Sequence, residues 1–300
     1  MKYNVNLIDT RYDFDIFGPS YIGKPKSNSV MFVTRKVEHL IQALYEVKEC
    51  LIFAEKGIEI DAGLSERHCF VLSDSPQLEY AEFMNAFESE KQREEAVIKI
   101  LFKDPGYYIS ETAVVGENAY IEPGCFIGHN VRIGDHARIL YGSVIKNAVI
   151  GDDFLSNEYA LIGANGFNMA EDEKGNKLRI PSLGRVVIGN HVEIGAYDNI
   201  SCGSGGDTVI DDWVKIDAHV HVGHDVYLHR NTEVTAGAII GGFVDAGEHS
   251  YIGINATIRN RVNLGHHAFI GMGSTVTKSV VENDTVVGNP ARTFEKHKKV

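Results

Sequence analysis

Residues 210–228, IDDWVKIDAHVHVGHDVYL, place an apolar residue at every sixth position, beginning with Ile210. The spacing continues unbroken to Val276, and Ala246 is the one weak member of the twelve positions. Small or β-branched residues stand four positions after these apolar residues: Val214, Val220, Val226, Thr232, Ala238, Val244, Ser250, Ala256, Val262, Ala268 and Ser274.

A six-residue period excludes an ordinary helix and an ordinary sheet. Six helical steps of about 100° leave the apolar side chains on different faces, and a flat sheet would alternate with a period of two. A short strand followed by a corner fits, and three such units close a triangular coil of about 18 residues, which pairs in parallel with the next coil ~4.8 Å away. The period predicts a parallel β-helix, whereas the alternative, a β-sandwich, would have variable strand spacing.

Two breaks interrupt the repeat. An earlier run extends from Ile109 to Ile145, slips by one position to Ile150, and resumes at Ile188 after the polar segment 168–185. Such insertions commonly loop out of a solenoid on its functional face. The second break, CGSGGD at 202–207, is either a bulged corner or a phosphate cradle, and no lysine follows it as in a P-loop.

The first third of the chain is different. Residues 51–54 and 69–72 are typical of buried strands, the apolar positions between Val37 and Val47 share one helical face, and residues 78–102 also favour a helix. We therefore predict a mainly β protein with a small α/β domain at 1–105, a β-helix at 106–288 and a short tail at 289–300. Asp104-Pro105-Gly106 is the expected linker.

Composition limits the function further. The chain of 300 residues has a net charge of −12, which disfavours nucleic acid as a partner. No apolar run approaches the ~20 residues of a membrane span, and the N-terminus does not resemble a signal peptide. Four cysteines without a tight spacing favour reduced thiols and a cytoplasmic location.

The second half of the chain carries the candidate chemistry. His224 follows a corner glycine, and Gly242 lies 18 positions later, one coil above it. A glycine above the histidine leaves room for a substrate. The backbone N–H of Gly242 could stabilise an oxyanion, and the imidazole of His224 could act as general base. Asp225 is adjacent, but neighbours along a strand point to opposite faces.

Other histidines have weaker claims. His249 and His267, also 18 positions apart, should stack ~4.8 Å apart. They form either half of a metal site or two exposed corner residues, and no third ligand is evident, so no metal is expected. His219 and His221 are expected on the surface.

These residues resemble the hexapeptide-repeat acyltransferases. That resemblance implies a left-handed β-helix, although the general rule for parallel crossovers favours the opposite hand. Over nearly its whole length the chain is similar to the UDP-3-O-acylglucosamine N-acyltransferases of lipid A synthesis. The similarity lies in four segments, 28–34, 72–76, 162–167 and 180–189, and in two single residues. These two, His224 and Gly242, fall on the catalytic histidine and the oxyanion-hole glycine of that family.

The resemblance also assigns ligand-binding residues. Phe32 matches the aromatic residue that stacks on uracil, and Arg35 replaces an asparagine beside it. Asn165, Phe167 and Asp225 complete the substrate-binding set implied.

The chain departs from that family in the region expected to bind the acyl donor. Arg261 replaces a second histidine that is linked to the thioester donor. The C-terminal helices that hold acyl carrier protein are missing, and the ending with Asn289, Pro290 and Ala291 is similar to the coenzyme A-dependent nucleotide-sugar N-acetyltransferases.

We expect an N-acyltransferase that moves an acyl group from a phosphopantetheine thioester to the amine of a nucleotide-linked amino sugar. Coenzyme A is favoured over acyl carrier protein as its carrier, no permanently bound cofactor is expected, and the enzyme should be a homotrimer. Three alternatives stay open at this point. The first is an acetyl-CoA-dependent N-acetyltransferase that acts on a nucleotide-linked amino sugar for surface glycan synthesis. The others are a non-catalytic β-helix that binds sugar nucleotides or acts as a scaffold, and a β-helix carbonic anhydrase with three zinc histidines.

Overall fold

The computed structural model describes residues 2–293, which form two compact units. The first unit comprises residues up to Ala96 together with Phe167–Gly184 and Ser204–Gly206, and the second comprises Val97–Gly166, Arg185–Gly203 and the chain from Asp207. No helix within residues 2–293 has the length and apolar character that a membrane crossing requires.

The first unit is built on a parallel four-stranded sheet. Its strands are Gly18–Pro19, Ser29–Val33, Leu51–Glu55 and Cys69–Ser73, in that order. A 3-10 helical segment, Arg35–Glu46, and two α-helices, Ala62–Arg67 and Pro76–Glu95, belong to it, as do a short 3-10 turn, Val5–Leu7, and an antiparallel pair, Tyr3–Asn4 with Asp15–Ile16.

Alternation along the strands gives this sheet a core on each face. Val30 and Leu51 pack with Met84 of the long helix, while Met31 and Ile52 pack with residues of the opposite core. The polar insertion, expected to loop out of the coil, forms a hairpin of Met169–Glu171 and Lys177–Arg179. The hairpin joins the first unit, where the Asn85 side-chain amide donates to the Arg179 carbonyl at 2.7 Å.

The second unit is the predicted parallel β-helix. Its strands stack into three sheets, which we call the first, second and third sheets. The first sheet consists of Ile100–Lys103, Tyr107–Ser110, Phe126–Ile127, Val144–Ile145, Leu161–Ala164, Asn199–Ser201, His221–Val222, Ile239–Ile240, Thr257–Ile258 and Thr275–Val276.

The other two sheets complete the prism. The second sheet consists of Val114–Val115, Arg132–Ile133, Ala148–Ile150, Val186–Ile188, Thr208–Ile210, Tyr227–Leu228, Asp245–Ala246 and Asn263–Leu264. The third sheet consists of Tyr120–Ile121, Arg138–Ile139, Leu155–Ser156, Glu193–Ile194, Lys215–Ile216, Glu233–Val234, Tyr251–Ile252, Phe269–Ile270, Thr285–Val287 and Arg292–Thr293.

Strand register confirms the predicted coil length. Val222 pairs with Ile240 and Ile240 with Ile258, each 18 positions further along the chain. The one-residue slip is real, because Ile133 pairs with Ile150. The hexad residues fill the prism interior, where Val222 and Ile240 are fully buried.

Some corners of the coil need glycine for a reason other than its backbone freedom. In Gly134-Asp135-His136 it is the histidine that takes positive φ, at 59°. A Cβ on Gly134 would lie 2.7 Å from the carbonyl carbon of Gly151 in the next coil. Glycine is therefore required there because two backbones approach closely, and the next residues make the turn.

Two boundary predictions were wrong. The long helix ends at Glu95, and Ile100–Lys103 is a strand that pairs antiparallel with Tyr107–Ser110. The β-branched and aromatic residues of 97–102 favour a strand over a helix. Residues 104–106, expected as a linker, form the turn between these strands inside the second unit, which begins at Val97.

Candidate active site

A corner of the β-helix brings His224 and Asp225 together. The two residues follow the strand His221–Val222, and Asp225 takes a left-handed conformation with φ of 59°. The turn cancels the alternation of a strand, so the Asp225 carboxylate reaches back to the ring. The distance from His224 Nδ1 to Asp225 Oδ2 is 2.8 Å.

This pair determines which imidazole nitrogen can act as a base. A carboxylate only accepts hydrogen bonds, so in this pair Nδ1 of His224 carries the proton and Nε2 is the ring nitrogen that bears the lone pair. The Asp225 side chain is only 4% exposed and that of His224 is 15% exposed. The Asp225 backbone N–H also donates to the hydroxyl of the buried Thr208 at 2.9 Å, which fixes the corner.

Two glycines bracket the His224 ring. A Cβ on Gly242 would lie 2.9 Å from both Cε1 and Nε2, so position 242 covers position 224 as predicted. A Cβ on Gly166 would lie 2.8 Å from His224 Cβ and 2.9 Å from Cδ2. Within residues 2–293 the Gly242 N–H donates no hydrogen bond, which leaves it available to a ligand oxygen.

Phe243 and Arg261 occupy the corner position of Asp225 in the next two coils, each 18 residues further along the chain. The Phe243 ring meets the His224 ring edge to face, with centroids 5.2 Å apart. The Arg261 guanidinium lies 4.2 Å from the Phe243 centroid in a cation–π contact. Both residues have φ of 61°, a conformation that costs about 1 kcal/mol or more for bulky side chains.

His221 is a second imidazole close to the pair. The sequence predicted a surface position, and its side chain is half-buried on the outer side of the first sheet, in register with Asn199. Burial lowers the pKa of His221, and the nearby His224 lowers it further. His219 lies exposed at another corner, stacked on Tyr197.

The residues assigned to the nucleotide lie in the first unit. Phe32 is half-buried on the second strand of its sheet, with its centroid 5.2 Å from that of Tyr80. Arg35 is exposed, pairs with Glu55 at 3.2 Å and donates to the Lys56 carbonyl at 2.9 Å. The side chain of Arg35 is therefore already engaged within the unit.

The segment that precedes the inserted hairpin contains the other assigned residues. Asn165 is exposed next to the buried Gly166. Phe167 is 80% exposed, and the Arg179 guanidinium lies 5.5 Å from its ring centroid.

The residues assigned to the acyl donor end the last coil. Ala291 donates its N–H to the Thr275 carbonyl at 2.8 Å and lines a cavity of about 450 Å³ with Val276 and Val286. Asn289 and Pro290 are exposed beside it.

The remaining histidines and cysteines form no metal centre in the described part of the chain. His249 and His267 stack with ring centroids 4.8 Å apart, as predicted. No group of three or more His, Cys, Asp or Glu side chains in residues 2–293 is arranged to hold a metal ion.

Known proteins resemble this chain in sequence. Residues 112–147 match the family model described as bacterial transferase hexapeptide (six repeats). The chain is 45% identical over 146 residues to UDP-3-O-acylglucosamine N-acyltransferase 2 of Legionella pneumophila (strain Lens), a match covering 49% of this chain and 42% of that protein. The corresponding protein of Coxiella burnetii (strain Dugway 5J108-111) is 41% identical over 107 residues, covering 36% of this chain and 30% of its own. The matches thus span less than half the length of these curated relatives.

Solved structures share the fold. UDP-N-acetylglucosamine acyltransferase from Campylobacter jejuni has a TM-score of 0.58 at 26% identity, covering 63% of this chain and 73% of its own. The acyltransferase from Francisella novicida has a TM-score of 0.57 at 26% identity, covering 64% and 68%. The resemblance to hexapeptide-repeat acyltransferases and the left-handed parallel β-helix are both confirmed.

Sequence reasoning missed Gly166 and the contact of Asp225. Both depend on corner geometry that spacing alone does not give. A small residue just before Phe167, in a stretch already singled out, was the only available signal for Gly166.

Proposed function

We propose that this protein is an N-acyltransferase that moves an acyl group from a phosphopantetheine thioester to the amino group of a nucleotide-linked amino sugar. The observation that carries the proposal is the His224–Asp225 pair, at 2.8 Å, under Gly242. The names of the curated relatives, UDP-3-O-acylglucosamine N-acyltransferases, support the same reaction.

In the proposed mechanism the unprotonated sugar amine attacks the thioester carbonyl carbon. A C–N bond forms, and Nε2 of His224 takes the proton that the attacking nitrogen loses. The carbonyl oxygen becomes an oxyanion, which the Gly242 N–H would stabilise by about 3 kcal/mol. The C–S bond then breaks, the amide is released, and the leaving thiolate takes the proton back from the imidazolium.

The remaining assignments belong to the same proposal. Phe32 and Arg35 would recognise the nucleotide, and Asn165 and Phe167 the sugar. Asp225 would orient the histidine. Arg261 would bind the donor, together with Asn289, Pro290 and Ala291. The cavity beside Ala291 supports the donor assignment, and the partner-free guanidinium edge of Arg261 in the described chain could bind a phosphate.

We also propose a cytoplasmic homotrimer. All four cysteines are free and buried, as in proteins from a reducing compartment. Coenzyme A is the donor we favour, with acyl carrier protein as the other candidate.

The test is turnover with purified protein. Acyl-CoA thioesters from acetyl to hydroxymyristoyl are incubated with UDP- and dTDP-linked amino sugars, and free thiol and acylated product are measured. His224→Ala should reduce turnover to below ~1%. His249→Ala, a corner histidine outside the site, is the matched control. Unchanged turnover by His224→Ala would remove the role assigned to this residue.

A second candidate is an acetyl-CoA-dependent N-acetyltransferase acting on a nucleotide-linked amino sugar for surface glycans. The ending Asn289-Pro290-Ala291 favours it. Mass spectrometry of products from the donor panel separates the two, because only this candidate would prefer acetyl-CoA. A protein that binds the sugar nucleotides but releases no thiol with any donor would instead be the non-catalytic binding protein.

A further inference from the structure

We propose that Gly166 is a positioning residue for His224, an inference that rests on the proposed acyl transfer. Gly166 lies two residues after the first-sheet strand Leu161–Ala164 and before the inserted hairpin, and it is buried. Three atoms of His224, Cβ, Cδ2 and Cγ, would lie 2.8, 2.9 and 3.0 Å from a Cβ added to it.

The requirement for glycine at 166 is spatial. Its backbone does not adopt the left-handed conformation that favours glycine, unlike Gly163, which has φ of 83°. The three atoms nearest to an added Cβ all belong to His224, so the closeness of this residue opposes a side chain at 166. Real Cβ atoms essentially never approach within 3.0 Å, so the histidine must shift if a methyl group is added.

The direction of that shift decides the consequence. Gly166 contacts the Cδ2 edge and the root of the side chain, and Gly242 covers the Cε1–Nε2 edge. A ring pushed from Gly166 is displaced toward Gly242 or turned away from Asp225, whose carboxylate it meets at 2.8 Å. Either movement misaligns Nε2 with the attacking amine, and a displacement of about 1 Å can cost ~100-fold in rate.

Kinetics of Gly166→Ala provide the first test, with acyl-CoA and a UDP-amino sugar as probes. We expect kcat to fall about 100-fold, with KM nearly unchanged, because the substrate contacts stay in place. Gly247→Ala is the matched control. A Cβ there would lie 2.8 Å from the backbone nitrogen of His266, at a different corner, so it introduces similar crowding without touching His224. Wild-type kcat in Gly166→Ala would refute the inference.

A double-variant cycle separates positioning from general damage. If Gly166 and Asp225 both act through the orientation of one ring, Gly166→Ala combined with Asp225→Asn should lower kcat no further than the worse single variant. Gly247→Ala combined with Asp225→Asn should show independent effects. Independent effects of Gly166→Ala and Asp225→Asn would contradict the inference.

A stability measurement covers the case in which Gly166→Ala folds poorly or the wild type shows no transfer activity. His224→Gly removes all three atoms that the added methyl would meet. Gly166→Ala should therefore lower the melting temperature in the wild-type background and have a smaller effect in the His224→Gly background. An equal decrease in both backgrounds would show that His224 is not what opposes the methyl group. Absence of thiol release by the wild type would instead count against the proposed function.

Discussion

At the scale of single residues, the site depends on where side chains are missing. The His224 ring has a glycine on each side, and each glycine faces a different edge of the ring. Phe243 covers it edge on, at 5.2 Å. The imidazole is thereby held against Asp225, and the glycine at position 242 leaves no side chain beside its Nε2.

Gly242→Ala tests the open edge. The added methyl would lie 2.9 Å from Nε2, where the attacking amine must approach. We expect transfer activity to fall about 100-fold, measured as thiol release with acyl-CoA and a UDP-amino sugar. Gly247→Ala serves again as a control for crowding at a corner. Activity near that of the wild type would mean that the amine does not approach past Gly242.

The sequence predicted which residues stack on each other in successive coils, but not which side chains touch within a corner. A constant period specifies which residue lies above which, and so Gly242 over His224 and His267 over His249 followed from counting. The Asp225 contact did not follow, because it depends on a φ of 59° at a corner. Gly166 reaches His224 only through the irregular segment near the bulge between Ile162 and Ala164, where counting fails.

At the scale of elements, one coil contains a buried acid at a position where the coils from Ile210 onward have small or β-branched residues. Asp198 occupies the position four residues after Ile194 and is 1% exposed. Its Oδ2 accepts the Gly195 N–H at 2.8 Å and its Oδ1 accepts the Val220 N–H at 2.7 Å, so the carboxyl ties two coils together. Burial raises the pKa of Asp198 to about 7.

This raised pKa predicts a stability that depends on pH. In the unfolded chain an aspartate has a pKa of about 3.9, whereas in the folded protein the pKa of Asp198 is about 7. Between these values the unfolded state loses its proton first, so the free energy of unfolding should fall as the pH rises. The change should be visible in the fluorescence of Trp213, the one tryptophan, which lies in the β-helix.

The variant Asp198→Asn should lose this pH dependence, because its side chain does not ionise. It should fall furthest below the wild type at low pH, because its amide nitrogen cannot accept one of the two backbone N–H groups. Its control is Asp152→Asn, which removes an exposed aspartate that accepts a backbone N–H from the neighbouring coil at 2.8 Å. The melting temperature is recorded by Trp213 fluorescence from pH 4 to about 8. An identical slope in the wild type and Asp198→Asn would exclude Asp198 as the cause.

The first unit should respond to pH in the opposite sense. His68 is fully buried, accepts the Cys50 N–H on Nδ1 at 3.3 Å and is 3.1 Å from the Leu44 carbonyl through Nε2. Burial lowers its pKa. Stability from neutral His68 is therefore present above about pH 6.5, its unfolded value, and is lost as the pH falls below it.

Circular dichroism at 222 nm isolates this effect, because every helix within residues 2–293 lies in the first unit. We expect the helical signal to melt at lower temperature at pH 5 than at pH ~7. His68→Gln should weaken that difference, and His39→Gln, an exposed histidine of the same unit, should retain it. A difference that survives in His68→Gln would assign it to another group.

At the scale of the whole molecule, the three outer faces of the β-helix differ in character. The first and second sheets direct mostly apolar residues outward over their first coils. On the first sheet these are Tyr108, Phe126, Val144 and Leu161. On the second sheet they are Val114, Val149, Val187 and Val209, with the exposed Arg132 between Val114 and Val149. The third sheet directs charged residues outward in its middle coils, at Arg138, Glu193, Lys215 and Glu233, with Leu155 among them. Aromatic residues take the same register toward its ends, at Tyr120, Tyr251 and Phe269.

Over the first coils the first and second sheets are the more apolar faces, and the charged residues concentrate on the third sheet, which predicts how copies of the chain associate. A twofold dimer brings the same patch of each copy together, whereas two different patches in contact generate a ring. Three prisms that place the first sheet of one against the second sheet of the next would close such a ring. This arrangement leaves the charged third sheet in water and supports the proposed homotrimer.

We expect a particle with three times the mass of the 33.1 kDa chain. Light scattering after size-exclusion chromatography measures this mass. Val144→Glu on the first sheet and Val187→Glu on the second should each give monomers, because a buried unpaired carboxylate costs several kcal/mol. Lys215→Glu places a new acid on the third sheet and should leave the trimer intact. If Val144→Glu dissociates the assembly but Val187→Glu does not, the ring of unlike faces is wrong. A twofold dimer through the first sheet would then be the better description.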